Sequence, residues 1–334
     1  MTAPRTRVQR RPVHGVLLLD KPLGFSSNQA LQKAKWLLRA DKAGHTGTLD
    51  PLATGVLPLC FGAATKFSQQ HLDANKCYRA TLRLGQATAT GDAEGDVVAT
   101  ADVPPITQAS LDALAQRMTG PQQQLPPMYS ALKKDGKALY EYARAGQTVE
   151  REPRHIEIYA LNMAMTLDGE GFVAIDFDAS CSKGTYIRTL GEDIAKALGT
   201  VGHLRALRRT QTGNFNEAGC ISLAQLEAMD DNARLQTLQP LTVMLPHHTP
   251  VTLDGDNAGR FLSGLRRRTA MADTAEVAVY GTQPTALLGT AHVLGGELVP
   301  TRLLNPLEIQ QILEQSRLQP DFAGEPASSV ALPH

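Results

Sequence analysis

The sequence predicts an α+β fold in which a mixed, mainly antiparallel sheet is flanked by helices and loops, followed by a small β-barrel-like domain. Two observations support this class. Up to residue 245, strand-like and helix-like apolar periods interleave without the regular β-α-β repeat of a parallel sheet. After residue 251, short apolar runs are separated by glycines, which is typical of a small barrel. The 334 residues are enough for two such units.

The first predicted element is a buried strand, because the apolar run in GVLLLDKPLGFSS, residues 15–27, stops at a Pro-Gly turn. NQALQKAKWLLRA, which follows, is predicted to form an amphipathic helix with lysines on its outer face. The glycine-rich stretch at 43–60 is predicted to be a loop. In YRATLRL, residues 78–84, strict alternation predicts a half-buried strand with Tyr78 facing inward and the arginines facing outward.

The later elements are predicted in the same way. Helical spacing indicates one helix over 107–120 and another over 187–198, each closed by a glycine. HIEIYALNMAM and GFVAIDFDAS are predicted to form a hairpin between these helices. Residues 124–152, called the excursion segment below, contain a Pro-Pro pair and a Lys-Lys-Asp-Gly turn, and are predicted to be exposed and to carry a short helix. EVAVYG, ALLGTAHVL and ELVPTRLL are predicted strands of the small domain.

The predicted domain boundaries follow from changes in composition. A boundary is expected in LPHHTPV, residues 245–251, where prolines and histidines replace the periodic pattern. We therefore expect a flexible basic arm over 1–12, a main domain over 13–247 that includes the excursion segment, a second domain over 248–310, and a C-terminal tail over 311–334.

Charge and cysteine content exclude several classes of protein. Basic and acidic residues both number 33, so the net charge predicts neither a nucleic-acid nor a membrane partner. The first 50 residues nevertheless hold nine basic against three acidic residues. The four cysteines form no C-x-x-C pair, which argues against a disulfide framework and a zinc site. Apolar runs are too short for a signal peptide or a membrane span, so we expect a cytoplasmic protein.

Asp50 is the one acidic residue in AGHTGTLDPLATGVLPLC, residues 43–60. The segment contains neither G-x-x-x-x-G-K-[ST] nor G-x-G-x-x-G, and the chain lacks the P-C-x-x-C motif of zinc deaminases, so nucleotide hydrolysis and zinc chemistry are disfavoured. Asp-Pro often begins a turn or caps a helix, so a structural role for Asp50 is an open alternative. His45 has a similar alternative as a hydrogen-bonded loop residue.

GHTGTLDPLATGVLPLCFGAATKFSQ, residues 44–69, resembles the signature of the pseudouridine synthases, and in particular of the TruB-type bacterial tRNA pseudouridine-55 synthases. Thr48 stands where that family often has alanine. After residue 250 the chain more weakly resembles the RNA-binding PUA domain that follows the catalytic domain in these enzymes. Five further segments match in the family's order: DKPLGFSSN, KCYRATLRLG, PPMYSALKKDGKALYEYARAG, CSKGTYIRTL and HLRALRRTQTG.

The resemblance implies the pseudouridine synthase fold and the conversion of uridine 55 in the T loop of tRNA to pseudouridine. The bond between uracil N1 and the ribose breaks, the base turns, and the sugar is rejoined through C5, so no cofactor and no metal are expected. Asp50 is implied to be the ionised carboxylate, which either attacks a carbon or abstracts a sugar proton. Arg188 is implied to keep Asp50 charged; the alternative is a surface arginine.

The other implied site residues contact the base. Tyr78 should stack on the uracil, and its hydroxyl is a candidate for removing the C5 proton; a core tyrosine is the alternative. Tyr186 and Leu207 match family positions that line the pocket. A stacked uridine must be flipped out of the RNA, and His45 resembles the residue that fills the vacated space.

The expected RNA-binding cations are Lys21, Lys183, Arg205, Arg208 and Arg209. The three arginines fall at helical spacing, a pattern that also suits a solvated charged face, and phosphate contacts would make affinity fall with salt. The excursion segment resembles the family's insertion that grips the T arm. We therefore expect a monomer that binds the T stem-loop of tRNA, with no membrane and no obligate protein partner.

Two alternatives remain open at this point. One is a related pseudouridine synthase that modifies another RNA. The other is an RNA-binding or RNA-folding protein that keeps the scaffold without turnover. Mapping pseudouridine in a treated tRNA distinguishes all three.

Overall fold

A computed structural model describes residues 9–282, 285–319 and 330–331 of the chain. Single turns of 3-10 helix lie at Gly62–Lys66, Glu217–Gly219 and Leu241–Met244. Up to residue 246 the elements are, in chain order, β1 (Gly15–Lys21), α1 (Ser27–Leu37), β2 (Ala43–His45), β3 (Ala53–Phe61), α2 (Ser68–Leu72), β4 (Lys76–Leu84), β5 (Gln86–Thr88), β6 (Val97–Thr100), α3 (Gln108–Met118), β7 (Gly120–Gln124), β8 (Lys133–Lys134), β9 (Lys137–Ala138), α4 (Leu139–Arg144), β10 (Arg154–Leu167), β11 (Val173–Cys181), α5 (Ile187–Ala197), β12 (Gly202–Thr212), β13 (Phe215–Asn216), β14 (Ile221–Ser222), α6 (Leu223–Ala228) and α7 (Asp231–Gln236).

The larger sheet contains ten of the strands in these described ranges, in the spatial order β14-β1-β3-β12-β4-β11-β10-β7, with β2 and β13 paired to β3 and β12. The pairs β1–β3, β4–β12, β4–β11 and β10–β11 are antiparallel, whereas β3–β12 and β1–β14 are parallel. The predicted mixed, mainly antiparallel sheet is therefore confirmed. So are the predicted strand over 78–84, the hairpin that becomes β10 and β11, and the short helix of the excursion segment. Of the two arginines predicted to face outward on that strand, Arg79 is exposed, but Arg83 is buried and forms an ion pair with Asp168.

Helices cover the sheet through their apolar faces. On α5, Ile187, Leu190 and Ile194 are buried at helical spacing, and Gly199 follows the helix with a φ of 82°. On α1, Ser26 and Gln29 form a reciprocal capping box that fixes where the helix begins. Both helices start next to the glycine-rich segment at 43–60, so their first turns are positioned beside it.

The C-terminal part contains β15 (Thr249–Leu253), α8 (Gly255–Leu262), β16 (Arg267–Arg268), β17 (Thr274–Thr282), β18 (Thr285–Leu294), β19 (Glu297–Leu303), α9 (Pro306–Arg317) and β20 (Val330–Ala331). Its strands form a curled half-barrel sheet in the order β16-β19-β18-β17-β15-β20, as expected for a PUA-like domain. Val251, Phe261, Val277 and Leu298 form its core. Tyr280 instead packs with the core of the larger sheet, so the two parts are in contact.

The last helix, α9, fastens the C-terminal part to the start of β1. The Gln315 amide accepts from the His14 backbone N–H at 3.0 Å and donates to the His14 carbonyl at 2.8 Å. The His14 ring accepts from the Ala63 backbone N–H at 3.1 Å, so its other nitrogen carries the proton that is shared with Gln311. Lys66 forms an ion pair with Glu308 at 2.6 Å. We call this contact the α9 clasp.

The segment at 43–60 corrects one prediction. Instead of a loop throughout, it forms β2 and β3, which pair with each other, and β3 also pairs with β1. The turn residues Gly55 and Pro58 concealed a strand in which every residue except Thr54 is buried. Only the stretch between β2 and β3 is irregular, and that stretch carries Asp50.

Parts of the predicted arm and tail lie outside the described residues, namely 1–8, 320–329 and 332–334. Arg10, at the end of the predicted arm, donates to the carbonyls of Lys35 at 3.0 Å and Ala40 at 3.1 Å.

The predicted domain boundaries stay predictions. Among the helices that the structure describes, none combines the length and the apolar character needed to cross a membrane.

Candidate active site

A cavity of about 320 Å³ opens at one end of the larger sheet. Its wall is formed by the β2–β3 connection, β4, residues 130–132 of the excursion segment, the connection from β11 into α5, and β12. A volume of this size lies in the range of small-ligand sites in proteins. Five stretches of the sequence therefore meet at one concave surface.

The β2–β3 connection holds Asp50 at this cavity through its backbone. Leu49 exchanges two hydrogen bonds with the Ser27 hydroxyl, at 2.7 and 3.1 Å, which ties the connection to the first turn of α1. The Asp50 carbonyl accepts from the Ala53 N–H at 3.0 Å, so the Asp-Pro pair does form a turn. Gly55, with a φ of 99°, lets β3 approach β12, because a Cβ there would lie 2.2 Å from the Arg209 carbonyl oxygen. The side chain of Asp50 is left to face the cavity.

Arg188, in the first turn of α5, is the cation beside Asp50. Its Nη2 lies 2.8 Å from Asp50 Oδ2, and its Nε lies 3.6 Å from Asp92 Oδ2. The guanidinium also donates to the carbonyls of Thr90 at 2.8 Å and Tyr129 at 2.7 Å. The side chain is only 5% exposed, so the alternative of a surface arginine is wrong. Arg188 is held by four oxygen groups and has little freedom to turn away.

The charge on Asp50 is set by opposing effects. Withdrawal from bulk water raises the pKa of Asp50, the Arg188 guanidinium opposes that rise, and the Asp92 carboxylate adds to it. The Asp50 side chain is still 37% exposed to the cavity. Water and the guanidinium at 2.8 Å therefore both stabilise the carboxylate, and we infer that it is ionised at neutral pH.

Asp92 is a site residue that the sequence reasoning missed. It is buried, and its carboxylate accepts from the Thr90 hydroxyl at 2.6 Å and from the Glu94 backbone N–H at 3.1 Å. These bonds aim its second oxygen at Arg188. The signal available in the sequence was the short stretch TGDAEG, in which an acidic residue follows directly after a turn glycine.

Tyr78 lies on β4 with its ring at the cavity and is 9% exposed. Its register partner on β12 is Arg209. Burial raises the pKa of Tyr78, and the Arg209 guanidinium beside the hydroxyl opposes that rise. The phenol is therefore protonated in the resting protein.

Arg209 lies inside the protein, whereas the sequence predicted a phosphate contact on a helix. It is 1% exposed, and its guanidinium donates to the carbonyls of Val56 at 2.8 Å and Gly47 at 3.2 Å. The predicted helix is in fact the strand β12. Two register shifts, at Leu204/Ala206 and at Arg209/Gln211, break the period of two, so the arginine spacing imitates a helix.

The other two arginines of this strand are paired with acids. Arg208 contacts both carboxylate oxygens of Asp20, at 2.9 and 3.0 Å, and forms a second ion pair with Glu217. Arg205 lies 2.6 Å from Glu170. Neither residue belongs to the cavity lining.

The remaining predicted residues divide into two groups. Tyr186 and Leu207 line the cavity, and Tyr186 is fixed by two backbone hydrogen bonds to the Gln124 side chain, at 2.8 and 3.1 Å. His45 and Lys183 lie just outside it, on β2 and on the connection into α5. Burial lowers the pKa of His45, and Lys183 pairs with Asp73 at 2.9 Å.

In the resting protein, the Lys21 side chain is bound to the backbone. Its side chain is buried, and burial lowers its pKa to about 8. It fastens the end of β1 to the Asp-Pro turn through three backbone carbonyls, those of Pro22, Phe25 and Pro51. Across the described ranges of the chain, no set of three His, Cys, Asp or Glu side chains is arranged to hold a metal ion.

Comparison with known families matches most of the chain. The family model for the N-terminal domain of TruB family pseudouridylate synthases matches residues 35–187, and that for the C-terminal domain of tRNA pseudouridylate synthase B matches residues 188–246. Together the two matches include every residue that lines the cavity.

Individual proteins show the same relationship. The tRNA pseudouridine synthase B of Verminephrobacter eiseniae is 61% identical over 313 residues, covering 93% of this chain and 95% of that protein. That of Cupriavidus pinatubonensis is 54% identical over 307 residues, covering 89% and 96%. A solved Cbf5-Nop10-Gar1 complex contains a chain with a TM-score of 0.66 and 22% identity, covering 90% of this chain and 87% of that one, which shows a shared fold.

Proposed function

The chain belongs to the TruB family of pseudouridylate synthases and is a tRNA pseudouridine synthase, and from this premise we propose that it modifies uridine 55 in the T loop. The observation that carries the proposal is the Asp50–Arg188 pair, with 2.8 Å between Oδ2 and Nη2, at the wall of a nucleoside-sized cavity. An isomerisation of this kind needs a fixed negative charge beside the sugar and the base, and the pair supplies one.

The target uridine must leave its stack to reach Asp50, because the carboxylate lies inside the cavity. We propose that the base is flipped out at a cost of a few kcal/mol. His45, on β2 outside the cavity lining, is the residue proposed to fill the vacated space. Its Nδ1 is buried and makes no hydrogen bond to any other described residue, and its lowered pKa keeps the ring neutral. A neutral ring can stack between bases without a charge to desolvate.

Asp50 then acts on the nucleoside in one of two ways. It attacks a sugar or base carbon and forms a covalent bond, or it abstracts a sugar proton while the bond between N1 and C1′ breaks. When C5 bonds to C1′, the covalent bond to Asp50 breaks in the first route and the abstracted proton returns to the sugar in the second, so no group is lost. Arg188 lowers the cost of keeping the carboxylate charged, and its hydrogen bonds fix the carboxylate's position.

Tyr78 is proposed to stack against the uracil and to assist the last step. Once C5 is bonded to C1′, its proton must leave to restore the aromatic ring. The Tyr78 hydroxyl is protonated at rest, so a role as base requires the Arg209 guanidinium to stabilise the phenolate that forms transiently. If that stabilisation is too weak, the proton leaves by way of water.

RNA binding is proposed to use exposed cations of the excursion segment and of the half-barrel. Lys133 and Lys134 of the excursion segment are exposed, as are Arg260, Arg266 and Arg268 of the half-barrel. Phosphate contacts by these side chains predict that affinity falls as salt rises. Arg205 and Arg208 are paired with acids, so their phosphate contacts would require exchanging a carboxylate for a phosphate.

One experiment tests the proposal. Purified protein is incubated with an unmodified tRNA transcript, and pseudouridine is mapped along the RNA, with Asp50→Asn as the matched control. We expect modification at position 55 with the native protein and none with the variant. Modification at another position would identify a related pseudouridine synthase with a different target uridine. Full activity of Asp50→Asn would overturn the mechanism.

A further inference from the structure

Ser130, in the excursion segment ahead of the β8–β9 hairpin, lines the same cavity and is 5% exposed. Its Oγ is buried and has no hydrogen bond of standard geometry among the described residues, although the Tyr186 phenol lies close enough to interact with it. Buried hydroxyls in proteins almost always have a well-formed hydrogen bond, so one without it indicates either a cost or a function. The position of this hydroxyl, at the wall of a cavity that must receive a polar base, favours a function.

The backbone of Ser130 cannot move to satisfy its own side chain. Its N–H donates to the Met128 carbonyl at 3.0 Å, and its carbonyl accepts from the Tyr140 N–H at 3.1 Å. The preceding carbonyl, of Tyr129, accepts from Arg188 Nη2 at 2.7 Å. The guanidinium that binds Asp50 therefore also fixes the peptide that presents Ser130.

The opposite side of this corner is Tyr186. Its phenol faces Ser130 closely enough for the serine hydroxyl to favour the phenolate, although burial raises the Tyr186 pKa overall. Tyr186 is itself fixed, because the Gln124 side chain binds its backbone N–H and carbonyl. Two hydroxyls on rigid supports thus form a polar corner of the cavity, which Leu132 and Leu207 also line.

From this geometry we infer that Ser130 is a substrate-binding residue whose hydroxyl donates a hydrogen bond to a carbonyl oxygen of the flipped uracil. Uracil offers two carbonyl oxygens at its ring edge. A donor on a rigid peptide would align the ring against Tyr78 while Asp50 acts on the sugar side. This inference rests on the proposed function, since it assumes that the base enters this cavity.

The inference predicts an unusual combination of effects for Ser130→Ala. Removing a buried hydroxyl that makes no hydrogen bond of standard geometry should cost little stability, so the thermal midpoint should change little. Removing a hydrogen bond to the substrate should lower kcat/KM about five- to twentyfold. A residue with a merely structural role would lose stability and activity together.

Thr200 provides a matched control. It is 6% exposed, its Oγ1 is also buried without a hydrogen bond to the described residues, and it lies between α5 and β12, outside the cavity lining. Thr200→Val removes that hydroxyl and keeps the shape. We expect a thermal midpoint equal to or above that of the native protein, with kcat/KM unchanged.

The decisive measurement is a double-mutant cycle with modified RNA. T-arm stem-loops carrying uridine, 2-thiouridine or 4-thiouridine at the target position are compared with native protein and Ser130→Ala, because sulfur is the weaker acceptor. We expect one thio substitution to cost the native protein severalfold in kcat/KM and to cost Ser130→Ala nothing. That non-additivity identifies which carbonyl the hydroxyl binds.

Three results would overturn the inference: native kcat/KM in Ser130→Ala, strict additivity with both thio substitutions, or a loss of stability that accounts for the loss of activity. Each can occur while the native protein forms pseudouridine and Asp50→Asn does not. Failure of the Ser130 inference is therefore distinguishable from failure of the proposed function.

Discussion

Arg188→Ala is the substitution with the largest expected effect, because one guanidinium serves two carboxylates. The variant would leave Asp50 without the partner at 2.8 Å and the buried Asp92 without the cation at 3.6 Å. Breaking a buried ion pair by removing one member costs about 3–5 kcal/mol. Because the Asp50 side chain is 37% exposed, solvent screens its interaction with Arg188, and the lower end of that energy range applies. The same contact keeps Asp50 charged and positioned in the transition state, so we expect a similar loss of about 3 kcal/mol there, which corresponds to roughly 100-fold in turnover.

The pH dependence gives a second measure of the same contact. Asp50 acts as the ionised form, so activity is lost as the pH falls through its pKa. Burial raises that pKa and Arg188 limits the rise, so removal of Arg188 should move the acid limb of kcat to higher pH. Arg188→Lys should keep part of the shift, because it retains a charge but not the fork that binds Asp50, Thr90 and Tyr129.

The assay is single-turnover pseudouridine formation on a T-arm stem-loop across pH 5 to 9, with circular dichroism to check that the variant is folded. Arg79→Ala is a suitable control, because Arg79 also pairs with an aspartate, Asp178, but at the surface at 3.2 Å. We expect Arg79→Ala to form pseudouridine at a near-normal rate. Near-normal turnover in Arg188→Ala, or an acid limb that does not move, would refute the reasoning.

Three further predictions follow from the site. Asp92→Asn should lower kcat about tenfold, because Arg188 would be held less firmly. It should also move the acid limb of the pH–rate profile to lower pH, because the Asp92 charge raises the Asp50 pKa. A shift of the acid limb to higher pH would contradict this. Tyr78→Phe should bind RNA normally but release the C5 proton about 100-fold more slowly, as read from tritium exchange at C5, and an undiminished rate would exclude the hydroxyl. His45→Ala should raise the Kd for the stem-loop more than it lowers the single-turnover rate at saturating RNA, whereas a defect confined to that rate would count against base replacement.

The sequence predicted the elements whose apolar period is regular, and it failed where backbone irregularity changes the period. The alternation around Tyr78 correctly indicated an inward-facing ring on β4. The arginines of β12 were assigned to a helix because two register shifts mimic its spacing. Likewise the strand β3 was taken for a loop, since Gly55 is needed for its close approach to β12.

The charged centre was predictable only in part. The motif around Asp50 and its resemblance to a known family indicated the carboxylate and the arginine, which come from residues far apart in sequence. Asp92 and Ser130 carry no comparable motif. Their importance depends on which atoms are left to face Arg188 and the cavity, and no one-dimensional pattern records that.

The α9 clasp has a consequence for how the protein is made. The helix that binds His14 and Lys66 follows the whole of the larger sheet in the chain, whereas its docking site lies at the start of that sheet. During synthesis the beginning of β1 therefore stays without its final cover until α9 has emerged from the ribosome. Termination upstream of Pro306 would leave that surface exposed, so we expect the shortened chain to be cleaved by proteases more readily than the native protein.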